Sequence, residues 1–300
     1  MQDFVQHLIN GVSLGSIYAL IALGYTMVYG IMKMINFAHA DVYMIGAFTA
    51  YYAAKWLGLE NSPGIGTFAI LLLIAMIACS LLGLAIERFA YRPLRNSPKL
   101  NVLITAIGVS LFLEFTGQVV FGADPKVFPE VLSDFVITSF GGIDLKSSDV
   151  TVLGVSLVTM VVLNFIIQKT QTGRAMRAVS TNAPVAAMLG VNTNRIIAFT
   201  FILGSCLAAV GSLLVGMKYP KIDPLMGMMI GLKAFVAAVL GGIGNVQGAV
   251  LGALLMGLSE EMVVAYLSST YRDALAFGIL IVILIFKPAG LLGKYSVEKV

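Results

Sequence analysis

Nine apolar runs, each close to the length of a bilayer-spanning helix, follow one another along the chain. They cover residues 8–31, 37–56, 67–89, 101–121, 151–168, 196–216, 225–240, 247–267 and 274–286. A helix needs roughly 20 apolar residues to cross a ~30 Å hydrocarbon core. Within that core only helices and closed barrels satisfy their own backbone polar groups. All nine prolines fall outside these runs or at their ends, where a missing N–H costs no helical hydrogen bond. Charged residues make up 11% of the chain, against about 25% in a soluble domain. The expected fold is an all-α polytopic membrane protein of 8–9 transmembrane helices, one transmembrane domain over residues 1–300. The short run 225–240 contains Lys233 and either spans or re-enters. The N-terminus lacks a basic leader and its apolar run is too long for a cleaved signal, so it is expected to stay as the first span. The net charge of +4 sits in short loops and is no nucleic-acid footprint. Cys79 and Cys206 each lie inside an apolar run, which argues against a disulfide framework.

Basic residues set the orientation. With segment 169–195 inside, alternation places twelve of the 19 basic residues inside. They are Lys33, then Arg88, Arg92, Arg95 and Lys99, then Lys169, Arg174, Arg177 and Arg195, then Lys287, Lys294 and Lys299. Segment 122–150, with Asp124, Glu130, Asp134, Asp144 and Asp149 against Lys126 and Lys146, falls outside. The N-terminus is then outside and the C-terminus inside.

The basic segment 169–195 has no acidic residue, and at its centre residues 181–190 read as one short helix. Asn182 caps it, Pro184 fits its first turn, and Gly190 ends it in a left-handed conformation. Val185, Met188 and Leu189 fall at i, i+3, i+4 and give it one apolar edge. That edge suits either a groove on a soluble partner or the protein's own bundle. Small residues recur at four-residue spacing on three runs: Gly11, Gly15 and Ala19; Gly204, Ala208 and Ser212; Ala249, Ala253 and Gly257. Such stripes mark close helix approach. The run Gly241–Gly244 followed by Asn245 reads as a helix break.

Asp41, Glu114 and Lys233 lie well inside spans, with His39 beside Asp41. Each charge costs about 2.5–3.5 kcal/mol at a span centre on insertion scales, so these side chains face the bundle interior or a wet cavity. Asp41 and Lys233 either neutralise one another or mark a polar pathway, for which Asn36, His39, Asp41, Glu114 and Lys233 are the candidates. Asn36 and Asp41 are nearly in register on one helix face, while His39 lines up with Tyr43. Tyr18, Tyr25 and Tyr29 run up one side of the first span as pathway wall or as packing. With two histidines, no G-x-S-x-G turn and no G-x-x-x-x-G-K-[ST] loop, the chain shows no catalytic constellation, metal site or nucleotide site of its own. Any uphill transport draws on an ion gradient or a separate ATPase.

Several stretches together resemble the LivH-like permease subunit of the branched-chain amino acid ABC transporter family. They include I-N-F-A-H-A-D-V-Y-M-I-G-A-F (35–48), Y-A-L-I-A-L-G-Y-T-M-V-Y-G-I (18–31), I-E-R-F-A-Y-R-P-L-R (86–95) and G-R-A-M-R-A (173–178). L-G-V-N-T-N-R-I-I-A-F-T-F (189–201), L-K-A-F-V-A-A-V-L-G-G-I-G (232–244) and K-P-A-G-L-L-G (287–293) extend the match from about residue 10 to 293. The resemblance implies an ABC importer permease in the cytoplasmic (inner) membrane that passes leucine, isoleucine or valine by alternating access. It also implies a second, different permease subunit, two ATP-binding subunits that hold the ATP, and an extracytoplasmic amino-acid-binding protein. Residues 181–190 would be the coupling helix, with Val185, Ala186, Ala187, Met188, Leu189 and Gly190 at the ATPase contact. Two departures stand out. Ala40 replaces the family's usual Gly, and the importer coupling pattern survives only as Val185-Ala186-Ala187 with Gly190 three residues later. A permease for urea or short amides, or a proton-coupled secondary transporter using Asp41 and Glu114, are the competing readings.

Overall fold

The computed structural model describes residues 2–95, 97–140 and 143–293. Each apolar run falls on one helix. These are α1 (Gln2–Met32), α2 (His39–Trp56), α3 (Ile65–Ile86), α4 (Lys99–Phe121) and α5 (Ser147–Lys169) in the first part of the chain. The short helices α6 (Gln171–Thr181) and α7 (Ala183–Met188) precede α8 (Thr193–Lys218), α9 (Met226–Gly241), α10 (Val246–Tyr266) and α11 (Arg272–Phe286). Among the described residues seven helices are long and apolar enough to cross a membrane. The other two runs form α2, which is buried by protein on almost every side, and α9, which has 16 residues. At 1.5 Å per residue α9 is about 24 Å long, short for a full crossing.

Sequence chemistry sets the ends of these helices. Pro98 precedes α4, Pro224 lies two residues before α9, and Pro288 follows α11. The residue before a proline is pushed out of the helical region, so helices begin or stop there. Asn192 caps α8 by accepting from the Arg195 amide at 3.1 Å, and Asn245 caps α10 by accepting from Gln247 and Gly248. The break expected at 241–245 separates α9 from α10.

The bundle is built around α1, which is buried along most of its length and packs on α10, α8, α9 and α5. α2 fills the space between α3, α8 and α9. The outer helices α3, α4, α5 and α11 expose apolar side chains such as Ile77, Leu81, Phe112, Val161 and Phe286. A surface of this kind is solvated by lipid tails. The small-residue stripes foreseen on the first and eighth runs meet each other. A side chain on Gly257 of α10 would run into the Gly15 backbone of α1, and one on Gly15 would run into Leu254. Glycine is required there because two backbones touch.

Two findings add to the sequence reading. The short helix expected within 181–190 is α7, and the chain before it forms a helix of its own, α6, which the extended Asn182 separates from α7. Asn182 still caps, accepting from the Val185 amide at 3.1 Å, and Gly190 is left-handed with φ of 85°. Segment 122–150 carries more structure than a loop. A hairpin pairs β2 (Val136–Phe140) with β3 (Ile143–Lys146), and β1 (Lys126–Val127) pairs antiparallel with β4 (Lys221–Ile222).

Relative sidedness follows from contacts between loops. The Asp144 amide donates to the Gln6 side chain at 2.9 Å, which puts the hairpin and the N-terminus at one end of the bundle. Arg95 donates to Asn194 at 2.5 Å, which puts the α3–α4 turn and the start of α8 together at the other end. Lys294 and Lys299 lie outside the described residues.

The α1–α10 crossing predicts the outcome of two substitutions. Gly257→Val overpacks a backbone contact and should cost about 1–3 kcal/mol. Gly154→Ala on α5, with nothing within 4 Å of its absent side chain, should be neutral. Thermal unfolding of the purified proteins in one detergent checks both, and equal midpoints would refute the tight crossing.

Candidate functional site

Three polar regions interrupt the apolar bundle. The first is the α6–α7 pair between α5 and α8. Thr170 caps α6 by accepting from the Gly173 amide at 3.0 Å, and Gly173, Met176 and Val179 turn inward. Arg174 and Arg177 stay on the surface. On α7 only Ala186 is buried, while Val185, Met188 and Leu189 are 44%, 78% and 79% exposed. The apolar edge therefore points away from the chain's own bundle. Behind Gly190 the chain enters α8 directly, and Asn194 on the first turn of α8 receives Arg95. Arg95 in turn pairs with Glu87, as Arg92 does at 3.1 Å. Glu87 is fully buried at the start of a π-helical turn, Glu87–Tyr91, that ends α3. Burial lowers the pKa of Arg95 below the usual guanidinium range, and the Glu87 carboxylate opposes that shift.

The second region lies where α1, α2, α4 and α9 meet. Ser110 on α4 donates to Asp41 on α2 at 2.5 Å. Glu114 lies one turn along α4 from Ser110, on the same face. An open cavity of about 180 Å³ reaches both Ser110 and Glu114 and is otherwise walled by Tyr25, Phe37, Leu232 and Phe235 among others. His39 is buried and stacks edge-on against Tyr25, with ring centroids 4.9 Å apart. Asn36 lies ahead of the first turn of α2 and accepts from the Tyr91 hydroxyl at 3.0 Å. It does not share a helix face with Asp41, because α2 begins only at His39.

The third region corrects an expected pairing. Lys233 does not neutralise Asp41. It donates to Glu260 of α10 at 2.9 Å and lies 2.7 Å from Asp273 of α11. Arg272 stands 3.0 Å from the same Glu260, whose other oxygen accepts from Tyr18 of α1 at 2.9 Å. Two cations and two carboxylates thus close a neutral cluster that ties four helices together. Glu260 was visible in the apolar run 247–267 at the same insertion cost as Lys233, and that cost could have singled it out. The tyrosine stripe of the first span divides accordingly, with Tyr18 on the ionic cluster and Tyr25 on His39 and Phe235.

At the hairpin end, a polar cavity of about 560 Å³ opens between α1, α5, α8 and α10. Gln6, Asn10, Lys146, Lys218, Glu261 and Arg272 line it. Lys218 pairs with Asp149 at 2.5 Å on its wall. Tyr219, just past α8, also lines this cavity, and burial raises its phenol above the usual range while Arg272 works against that shift. Among the described residues no group of three His, Cys, Asp or Glu could hold a metal ion, and Cys79 and Cys206 are free thiols.

Comparison with known proteins shows what the chain is similar to. Residues 7–284 match the family described as branched-chain amino acid transport system / permease component. The high-affinity branched-chain amino acid transport system permease protein BraD of Pseudomonas aeruginosa is 43% identical, over 99% of this chain and 98% of BraD. The permease proteins LivH of Salmonella typhimurium and Escherichia coli K12, described in the same terms, are 43% and 42% identical over the same shares.

The ion-pair geometry predicts which charges are coupled. Removing Lys233 alone leaves Glu260 and Asp273 short of a cation and should cost about 3–5 kcal/mol. Lys233→Met with Glu260→Met should then be clearly less damaging than the sum of the single changes. Lys233→Met with Asp41→Leu should be additive. Thermal midpoints of the three single and two double variants in detergent measure this, and coupling between positions 41 and 233 would contradict the arrangement.

Proposed function

This chain belongs to the branched-chain amino acid transport system / permease component family, and on that premise we propose how it works. It is a transmembrane subunit of an ABC importer that passes leucine, isoleucine and valine across the cytoplasmic membrane by alternating access. The observation that carries the mechanism is α7. Its exposed edge of Val185, Met188 and Leu189 stands in a basic, acid-free segment of a chain with no nucleotide-binding motif.

In this reading an ATP-binding subunit grips α7, one on this chain and one on a second, different permease subunit. The ATP is held by those partners, and this chain binds no cofactor and catalyses no reaction. Closure of the ATP-binding pair moves α7. Through Gly190 that motion acts on α8, and from Asn194 it passes by Arg95 and Glu87 to the π turn ending α3. Single-turn π segments are frequent at functional sites, which makes the Glu87–Tyr91 turn the candidate two-state element. Tyr91 hands the displacement to Asn36 at the entry of α2, the helix that carries His39 and Asp41. Asn36, His39, Asp41 and Glu114 are accordingly placed beside the translocation pathway, with Lys233 holding α9 in position. Solute arrives from an extracytoplasmic binding protein at the end that carries the hairpin and the polar cavity. Segments 88–99 and 169–195 and the C-terminus face the cytoplasm, and segment 122–150 and the N-terminus face outward.

Orientation is checked by impermeant thiol labelling of intact cells after Cys79→Ser and Cys206→Ser. Asp134→Cys should label and Thr181→Cys should not, and the reverse pattern would invert the topology.

Coupling is checked at α7. A side chain at the left-handed Gly190 position costs roughly 1–2 kcal/mol, and Gly190→Arg also sets a bulky charge against the partner groove. Met188→Glu buries an unpaired charge in the contact. At matched membrane levels both variants should lose the ATP-binding subunit in pull-downs and abolish uptake of labelled leucine. Retention of the partner with normal uptake would move the coupling site elsewhere.

A further inference from the structure

The charges inside the bundle divide into two kinds. Lys233, Arg272, Glu260 and Asp273 neutralise each other. Asp41 and Glu114 have no such counterpart. Asp41 is 1% exposed and its side chain is met by the neutral Ser110 hydroxyl. Glu114 is 5% exposed, lines the cavity between α4 and α9, and makes no hydrogen bond or ion pair among the described residues. No Lys or Arg lines that cavity, and Lys233, the cation that sequence spacing offered, is committed elsewhere. The remaining wall is aliphatic and aromatic: Ile107, Leu111, Met228, Leu232, Phe37 and Phe235. The space, about 180 Å³, equals roughly six waters at ~30 Å³ each. That is room for a short branched hydrocarbon and a cationic head, with the rest of the molecule in the open mouth.

We infer that the chamber lined by Ser110 and Glu114, with Asp41 behind Ser110, binds the α-ammonium group of the amino acid in transit while its apolar wall holds the branched side chain. The inference rests on the importer reading above and adds where and by which end the cargo is recognised inside the membrane. A lone carboxylate aimed into an apolar cavity is costly until a cation arrives, and the cargo brings one. The wall holds no cation for a carboxylate, only the Ser110 and Tyr25 hydroxyls, while Glu114 meets an ammonium, so it recognises the ammonium end. Ser110 is a positioning residue that orients Asp41.

The test measures equilibrium binding of labelled L-leucine to the assembled transporter in lipid nanodiscs, with its partner permease and ATP-binding subunits but no binding protein. Saturable binding is expected, displaced by 3-methylbutylamine, which keeps the ammonium and the branched chain, and not by 4-methylpentanoate, which keeps the branched chain and the carboxylate but lacks the ammonium. Glu114→Gln should weaken leucine about tenfold or more, the scale of one charged hydrogen bond. Glu114→Asp should recover part of that loss, and Ser110→Ala should lie between. Variants are compared only if they co-purify with the ATP-binding subunits, and if Glu114→Gln does not, Ser110→Ala and the competition pattern on the unmodified protein decide. Absent saturable binding, equal displacement by the two analogues, unchanged affinity in Glu114→Gln, or displacement of leucine by Na⁺ as the site's own cation would each overturn the inference. Failure of the importer reading looks different: the unmodified system, given ATP and binding protein, would not take up leucine at all.

Discussion

The contact between α1 and α10 at Gly11, Gly15 and Gly257 is the interaction on which the rest of the bundle depends. Water supplies no hydrophobic drive between helices inside lipid, so association rests on close packing and on interhelical polar contacts. Backbone contact at Gly15 and Gly257 brings α10 near enough for Tyr18 to reach Glu260. Glu260 then fixes Lys233 and so the rotation of α9, while Arg272 and Asp273 draw in the start of α11. The rotation of α9 in turn sets Met228, Leu232 and Phe235 as one wall of the cavity that contains Ser110 and Glu114. A missing side chain on α10 therefore bears on the shape of a chamber several helices away.

A second polar thread runs at the other end. Glu87 is fully buried yet carries two arginines, and Arg95 spans from it to the first turn of α8. Breaking such a buried pair from one side is expensive, so the α3–α4 turn and the start of α8 move as one piece. α7 leads into α8 through a single left-handed turn at Gly190, which is why the proposed coupling runs from α7 to α8. The weak point is the π turn, where the α3 hydrogen-bond ladder already departs from its regular pattern. Tyr91 at the end of that turn holds Asn36, which joins the turn to the N-terminal end of α2.

Much of this was legible in the residues, and the boundary of legibility is physical. The apolar runs, their proline-free interiors and the Gly–Ala stripes report local demands of a lipid-spanning helix, so each run fell on a helix and two of the stripes met. The cap of Asn182 and the left-handed Gly190 are likewise local, and both are present although Asn182 extends and divides the segment. Pairing across helices is not local. Asp41 and Lys233 look complementary along the chain, but the azimuth of α9 is decided by Glu260, 27 residues further on. α6 is hard to read from the residues because its polar and basic surface hides an inward stripe of only Gly173, Met176 and Val179. Asn36 and Asp41 share a face only on a continuous helix, and α2 begins at His39, between them.

The contrast between the two buried charge groups separates scaffold from working part. A neutral, mutually paired set such as Lys233, Glu260, Arg272 and Asp273 has met its own desolvation cost and gains nothing from a ligand. It resists change, which is what a structural tie between four helices needs. Asp41 and Glu114 are both buried, Asp41 met only by the Ser110 hydroxyl and neither paired with a cation among the described residues. Packing cannot account for such a pair, since an apolar residue of similar size would fill the same space without the insertion cost. What the pair gains over that alternative is a change in state when a cation enters and leaves. A carrier needs that property at its centre, because a site that is stable both empty and full by itself would not release what it binds.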